Sequence, residues 1–164
     1  MTTQAGELRF QLGASSRRNL IGVHGDLVRV VERAISLTDC DFAVIEGRRT
    51  EARQRELVAA GASQTLNSRH LTGHAVDLGA YVAGRIAWDW PLYHLIADAM
   101  RAAAKFEGVP VRWGGVWDRQ LSDLAPGANG IELSVSEYVA RRRAAGQKAF
   151  LDGPHFELPR EVYP

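Results

Sequence analysis

The chain has 164 residues, 46% of them apolar, and a formal charge of +1 at pH 7. That length and composition suit one globular domain with its own core, and no repeat, linker or second domain is visible. A nearly neutral chain makes no electrostatic case for nucleic acid, and no stretch approaches a membrane span. The single cysteine, Cys40, excludes an internal disulfide and fits a reducing compartment. It precedes the apolar run Phe42-Ala43-Val44-Ile45 and reads as a small buried thiol rather than a nucleophile. The first ten residues lack the basic start and apolar run of a secretory signal, so the chain is expected to begin in the cytoplasm.

Residues 1–22 read as polar and irregular, with Ser15-Ser16-Arg17-Arg18 as a solvated segment. A helix follows from Asp26, its cap, with Leu27, Val28, Val31, Ala34 and Ile35 at helical spacing. Residues 41–46 read as a buried strand closed by Gly47, and residues 50–60 as a helix ended by Gly61. Polar loop is expected over 61–73 and a short strand over 75–80. Pro91 opens the best-marked helix, whose stripe Leu92, Leu95, Ile96, Ala99, Met100, Ala103 and Phe106 ends at Gly108. A strand over 109–113 turns at Gly114-Gly115. Residues 118–150 form an insertion-like excursion with one helix, entered after a loop at 126–130. Ser134 and Glu137 make a capping-box pattern for that helix, and Gly146 stops it. A terminal strand over 150–158 carries His155. Short strands among several helices predict a compact α+β domain.

Residues 68–77 read Ser-Arg-His-Leu-Thr-Gly-His-Ala-Val-Asp. With five histidines in the chain, about 0.3 His–Asp pairs seven apart arise by chance, so this spacing alone is weak. A period-two strand would put His70 and Asp77 on opposite faces, and Gly73 between them permits the turn that brings them together. Further on, Asp152-Gly-Pro-His155-Phe-Glu157 supplies a second imidazole with an acid three positions before it. Two histidines and one carboxylate leave a fourth position on zinc open for water, as in catalytic zinc sites. Along the last strand Glu157 shares the face of His155 and competes with Asp152 as a base.

In this order, Ser68-x-His70-x-x-Gly73-x-Ala75-x-Asp77 and Asp152-x-x-His155 resemble the paired motifs of the zinc D-Ala-D-Ala carboxypeptidase and phage L-alanyl-D-glutamate endopeptidase family. Gly47-x-Arg49-Thr50-x-x-x-Gln54 is similar to the family's arginine segment, and Trp113-Gly114-Gly115-x-Trp117 to the endopeptidase branch. The likeness spans roughly residues 20–158. It implies the zinc DD-peptidase or hedgehog-like fold, a small antiparallel sheet flanked by helices. It also implies zinc held by His70, Asp77 and His155, with Asp152 as catalytic base and Arg49 stabilising the oxyanion or binding a substrate carboxylate. His74, nearer Asp77 than His70 is, falls on a variable position of the pattern and reads as a pocket-wall residue or as a support behind the ligands.

Ser68 and Trp117 are expected to touch substrate, although a loop serine and a core tryptophan are equally open readings. Arg141-Arg142-Arg143 reads as a solvated helix face, or as a contact for anionic envelope polymers. Val116 stands where many relatives carry an acid. The implied function is hydrolysis of the L-Ala-D-Glu bond of the peptidoglycan stem peptide by a monomeric phage or prophage endolysin. Such an enzyme stays cytoplasmic until a holin-like pore releases it, without inserting into the membrane itself. Two alternatives stay open: a D-alanyl-D-alanine carboxypeptidase, and a zinc-stabilised wall-binding module without turnover.

Overall fold

The computed structural model describes residues 9–164. Helix α1 (Ala14–Asn19) leads into α2 (Gly25–Leu37), strand β1 (Phe42–Glu46) and α3 (Glu51–Ala59). After a 3-10 turn (Arg69–Thr72) come β2 (Ala75–Val82), β3 (Arg85–Ala87) and the long helix α4 (Trp90–Glu107). Strands β4 (Arg112–Gly114) and β5 (Val116–Gln120), helix α5 (Gly127–Ala144) and strand β6 (Asp152–Glu157) complete the chain. The strands form one antiparallel sheet in the order β1-β2-β6-β4-β5, with β3 also paired to β2. The α+β expectation therefore holds.

Alternation along the central strands separates core from site. Val76 pairs with Phe156, which in turn pairs with Trp113, and all three are buried in the core that also takes Leu27, Val31, Ile96 and Met100 from the helices. The residues between them, Asp77 and His155, point to the opposite face. Helix α4 packs on α2, on α5 and on the sheet.

Several expectations need correction. Residues 1–8 lie outside the described region, and the rest of the segment read as irregular contains α1. There Ser16 is buried, its Oγ accepting from the Val44 N–H at 3.0 Å, so it belongs to the sheet's support rather than to a solvated run. The cap of α2 is His24, whose Nδ1 accepts from the Asp26 N–H at 3.1 Å. Asp26 lies in the first turn and takes the Tyr163 hydroxyl at 2.7 Å.

Helix α5 starts at Gly127, so most of the expected 126–130 loop is its first turn. Ser134 is then mid-helix, donating to the Gly130 carbonyl at 2.8 Å instead of capping. Residues 118–150 also hold most of β5, an unexpected strand. Phe106 does not join the core stripe: it is exposed, with the Arg33 guanidinium 3.7 Å from its ring centroid. Cys40 is buried, as expected.

Candidate active site

Three chain segments converge on Asp77. In the sheet, Asp77 pairs with His155 on one side and with Glu46 on the other, which aligns one row across β1, β2 and β6. Glu46 reaches that row through a register shift: Val44 pairs with Leu78, yet Glu46 rather than Ile45 pairs with Asp77. One extra residue in β1 re-aims the side chain, as β-bulges do beside active sites.

His70 arrives from the 3-10 turn. Ser68 caps that turn, its Oγ accepting from the His70 N–H at 3.2 Å. Gly73 closes it at φ +74°, and a Cβ there would overlap the Gly22 carbonyl oxygen. This combination of left-handed backbone and close approach calls for glycine. The turn brings His70 Nε2 within 3.2 Å of Asp77 Oδ1, and His155 Nδ1 lies 3.3 Å from the same oxygen.

Each imidazole is held by its far nitrogen. His70 Nδ1 donates to the Gly47 carbonyl at 2.8 Å, and His155 Nε2 lies 3.2 Å from Glu157 Oε2. Those contacts leave Nε2 of one ring and Nδ1 of the other facing Asp77, the tautomers a metal needs. The three ligand atoms lie within 4.8 Å of one another, so His70, Asp77 and His155 could hold a metal ion.

The electrostatics agree. Burial works against the charge of His155, but Asp77 and Glu157 outweigh it and push the imidazole up to about 10. Burial likewise opposes the charge on Asp77, yet the His155 and His70 contacts hold it well below the usual carboxylate range. The row is therefore arranged around positive charge, which a divalent cation bound by nitrogen and carboxylate would supply.

Asp152 and Arg49 line the same cleft, whose volume is about 910 Å³. Burial raises the Asp152 carboxyl and Asp77 adds to the rise, against His155, His70 and Arg49. The register of β4 with β6 jumps from Trp113–Phe156 to Gly114–Asp152, and any Cβ at Gly114 would overlap the Asp152 carbonyl oxygen. Close backbone approach thus sets where Asp152 stands.

The Arg49 side chain, 8% exposed, lies beside the row. Its Nε and Nη2 donate to the two Glu46 oxygens at 2.7 Å each, and Nη1 donates to Gln54 Oε1 at 2.6 Å. Nη2 also lies 3.7 Å from Asp77 Oδ2. Burial disfavours the guanidinium's charge, but Glu46 overcomes that and raises its pKa.

A scan of known families finds the phage L-alanyl-D-glutamate peptidase model matching residues 8–126. The chain belongs to the phage L-alanyl-D-glutamate peptidase family. The L-alanyl-D-glutamate peptidase of Escherichia phage T5 is 32% identical over 115 residues, 68% of this chain and 84% of that protein. The crystal structure of the Serratia marcescens L-Ala D-Glu endopeptidase ChiX matches with a TM-score of 0.72 at 41% identity. That match covers 97% of this chain and 98% of the Serratia chain.

The family match ends before Asp152 and His155, so in this family member the sheet, pairing His155 with Asp77, is what joins the second motif to the first. Ser68 and Trp117 also line the cleft. Trp117 sits 5.4 Å from the His155 ring and donates to the Phe150 carbonyl at 3.1 Å, whereas Trp113 is wholly buried. His74 lies apart, stacked 5.4 Å from His24 with its Nδ1 2.7 Å from Thr72 Oγ1.

One neighbour went unassigned in the sequence and another takes a different role. Glu46 carries no motif signal and is found only through the bulge. Glu157, weighed as a base, instead takes up the outer nitrogen of His155. Gln54, weakly marked, is buried and ties Arg49 to Ser63 and the Thr65 carbonyl.

Proposed function

We propose that the chain is a single-domain, zinc-dependent L-alanyl-D-glutamate endopeptidase acting on the peptide stem of peptidoglycan. One observation carries the reading: in a member of this family, the His70–Asp77–His155 donor set opens into a cleft that also holds the desolvated Asp152 carboxyl. Two imidazoles and a carboxylate suit zinc and leave a coordination position for water, unlike a closed structural site.

When bound, zinc supplies Lewis acidity toward the scissile carbonyl and makes water a competent nucleophile near neutral pH. Asp152 takes the proton of the attacking water and passes it to the leaving amine, a task favoured by a carboxyl raised above its ordinary value. Arg49, fixed by Glu46 and Gln54, lends positive charge where the carbonyl oxygen becomes anionic. Glu157 and the Gly47 carbonyl hold the two imidazoles in place. Ser68 and Trp117 contact the stem peptide from the cleft walls.

Mass spectrometry of fragments from purified peptidoglycan, with metal analysis of the same sample, tests this reading. New N-terminal D-glutamate and about one zinc per chain support it. Released D-alanine would assign a carboxypeptidase instead, and bound zinc with no product a wall-binding module. Membership of a phage peptidase family suits an endolysin, and we infer with it a monomer that stays cytoplasmic until a holin-like pore lets it out. Host lysis that occurs equally well without any pore-forming partner would refute that pathway.

A further inference from the structure

Four arginines line the cleft: Arg49, Arg69, Arg142 and Arg160. Three already bond to the protein. Arg49 is taken by Glu46 and Gln54, Arg69 donates to the Leu158 and Tyr163 carbonyls, and Arg160 donates to the Asn67 carbonyl. Arg142 differs. Among the described residues its Nε is buried with no acceptor.

The neighbouring side chains explain why Arg142 stays unspent. Arg141 donates from Nε and Nη2 to the two Asp118 oxygens at 2.9 Å each, which consumes the nearby carboxylate and clamps α5 against β5. Tyr138, one turn earlier on α5, lines the same wall with Trp117 and Phe150. The expected solvated arginine face is therefore divided: Arg141 is structural, Arg143 is exposed, and Arg142 borders the cleft. A buried donor without an acceptor is unfavourable, and a guanidinium fork matches a carboxylate with two parallel hydrogen bonds.

We propose that Arg142 is a specificity-determining residue that binds a free carboxylate of the stem peptide. The inference rests on the peptidase reading above. A glutamyl residue continues the chain through one carboxyl and keeps the other free, beside the bond to be cut. The carboxylate at the end of the stem is the second possible source.

Three synthetic stem peptides separate these sources: one with both carboxylates free, one amidated on the glutamyl carboxyl, and one amidated at its C-terminus. With the wild-type enzyme, amidating the recognised carboxylate should raise KM by about 10- to 100-fold. Arg142→Gln should raise KM for the free acid by a similar factor, leave kcat within about twofold, and abolish discrimination between acid and amide. Arg142→Lys should recover part of the loss. Melting temperature and zinc content, unchanged in both variants, exclude a folding or metal defect.

Arg142→Gln with an unchanged KM, or with acid–amide discrimination intact, overturns the assignment while turnover upholds the peptidase reading. A wild-type chain that cuts none of the peptides overturns that reading instead. Calorimetric Kd values for the same peptides then decide Arg142 by themselves: equal affinity for acid and amides overturns it.

Discussion

Asp77 faces His155 directly across the β2–β6 pair, and the same oxygen, Oδ1, lies 3.3 Å from His155 Nδ1 and 3.2 Å from His70 Nε2. One carboxylate oxygen thus bridges two imidazoles drawn from a turn and a strand. The arrangement places one acid at the centre of both the candidate metal site and the local electrostatics.

Metal loading should release protons. Asp77 and Glu157 push His155 up to about 10, so without metal it is charged at pH 8, whereas a ligating imidazole is neutral. Calorimetry of zinc binding in buffers of different ionisation enthalpy should report about one proton released per site at that pH. Release of no proton would show that His155 is already neutral. Removal of metal with a chelator exposes the matching stability effect. The folded value exceeds the ordinary 6.5, so the stabilisation is complete below 6.5 and is lost as pH rises through about 10. The melting temperature of the metal-free chain should decline across that window.

Asp152→Asn should keep zinc and lose about 10²- to 10⁴-fold in kcat. Because burial raises this carboxyl, the acid limb of the wild-type kcat profile should lie above the pH at which an exposed aspartate would ionise. Wild-type turnover in Asp152→Asn would remove Asp152 from the mechanism and return Glu157 to the role of base.

Glu157→Gln and Glu46→Gln should separate the two supports of the row. Glu157 holds the outer nitrogen of His155, so its variant should weaken zinc binding by about 10- to 100-fold. Glu46 instead positions Arg49 through two hydrogen bonds, so its variant should retain zinc and lose kcat. Competition with a chromophoric chelator measures the first effect and steady-state kinetics the second. The same zinc affinity in both variants would show that this division is wrong.

Gly73→Ala should destabilise the fold and displace His70 together. The left-handed backbone at φ +74° costs a residue with a Cβ roughly 1–2 kcal/mol, before the overlap with the Gly22 carbonyl oxygen is counted. The expected outcome is a melting temperature lowered by at least about 5 °C, with zinc content below one per chain. A stable, fully loaded variant would show that the turn tolerates a side chain.

Much of the candidate site was legible because its ligand types lie in short motifs. His70, Asp77, Asp152 and His155 could be named from two runs of the chain, and Arg49 from a third. Glu46 could not, because its position opposite Asp77 depends on a register shift that no residue type announces. The errors in the fold share a cause. Gly127 and Gly130 favour a turn locally, yet they open α5 where it packs on α4, and Gly130 lies so close to Ala125 that a Cβ would intrude. Apolar spacing likewise placed Phe106 inside, while α4 ends with that ring outside and under Arg33.

By itself the sequence determined which chemistry the chain carries and in what order: the imidazoles, the acids, the arginine and the glycine that bends the ligand turn. These are properties of residue type and of spacings within a few positions. Only the tertiary structure decided that positions 46, 77 and 155 form one row, that Glu157 serves a ring nitrogen, and that Arg142 reaches the cleft while Arg141 is spent on Asp118. The physical reason is that strand register and helix docking are set by the packing of the opposite, apolar face. Val76, Phe156 and Trp113 must interlock in the core, and the polar residues between them take whatever partners that packing imposes.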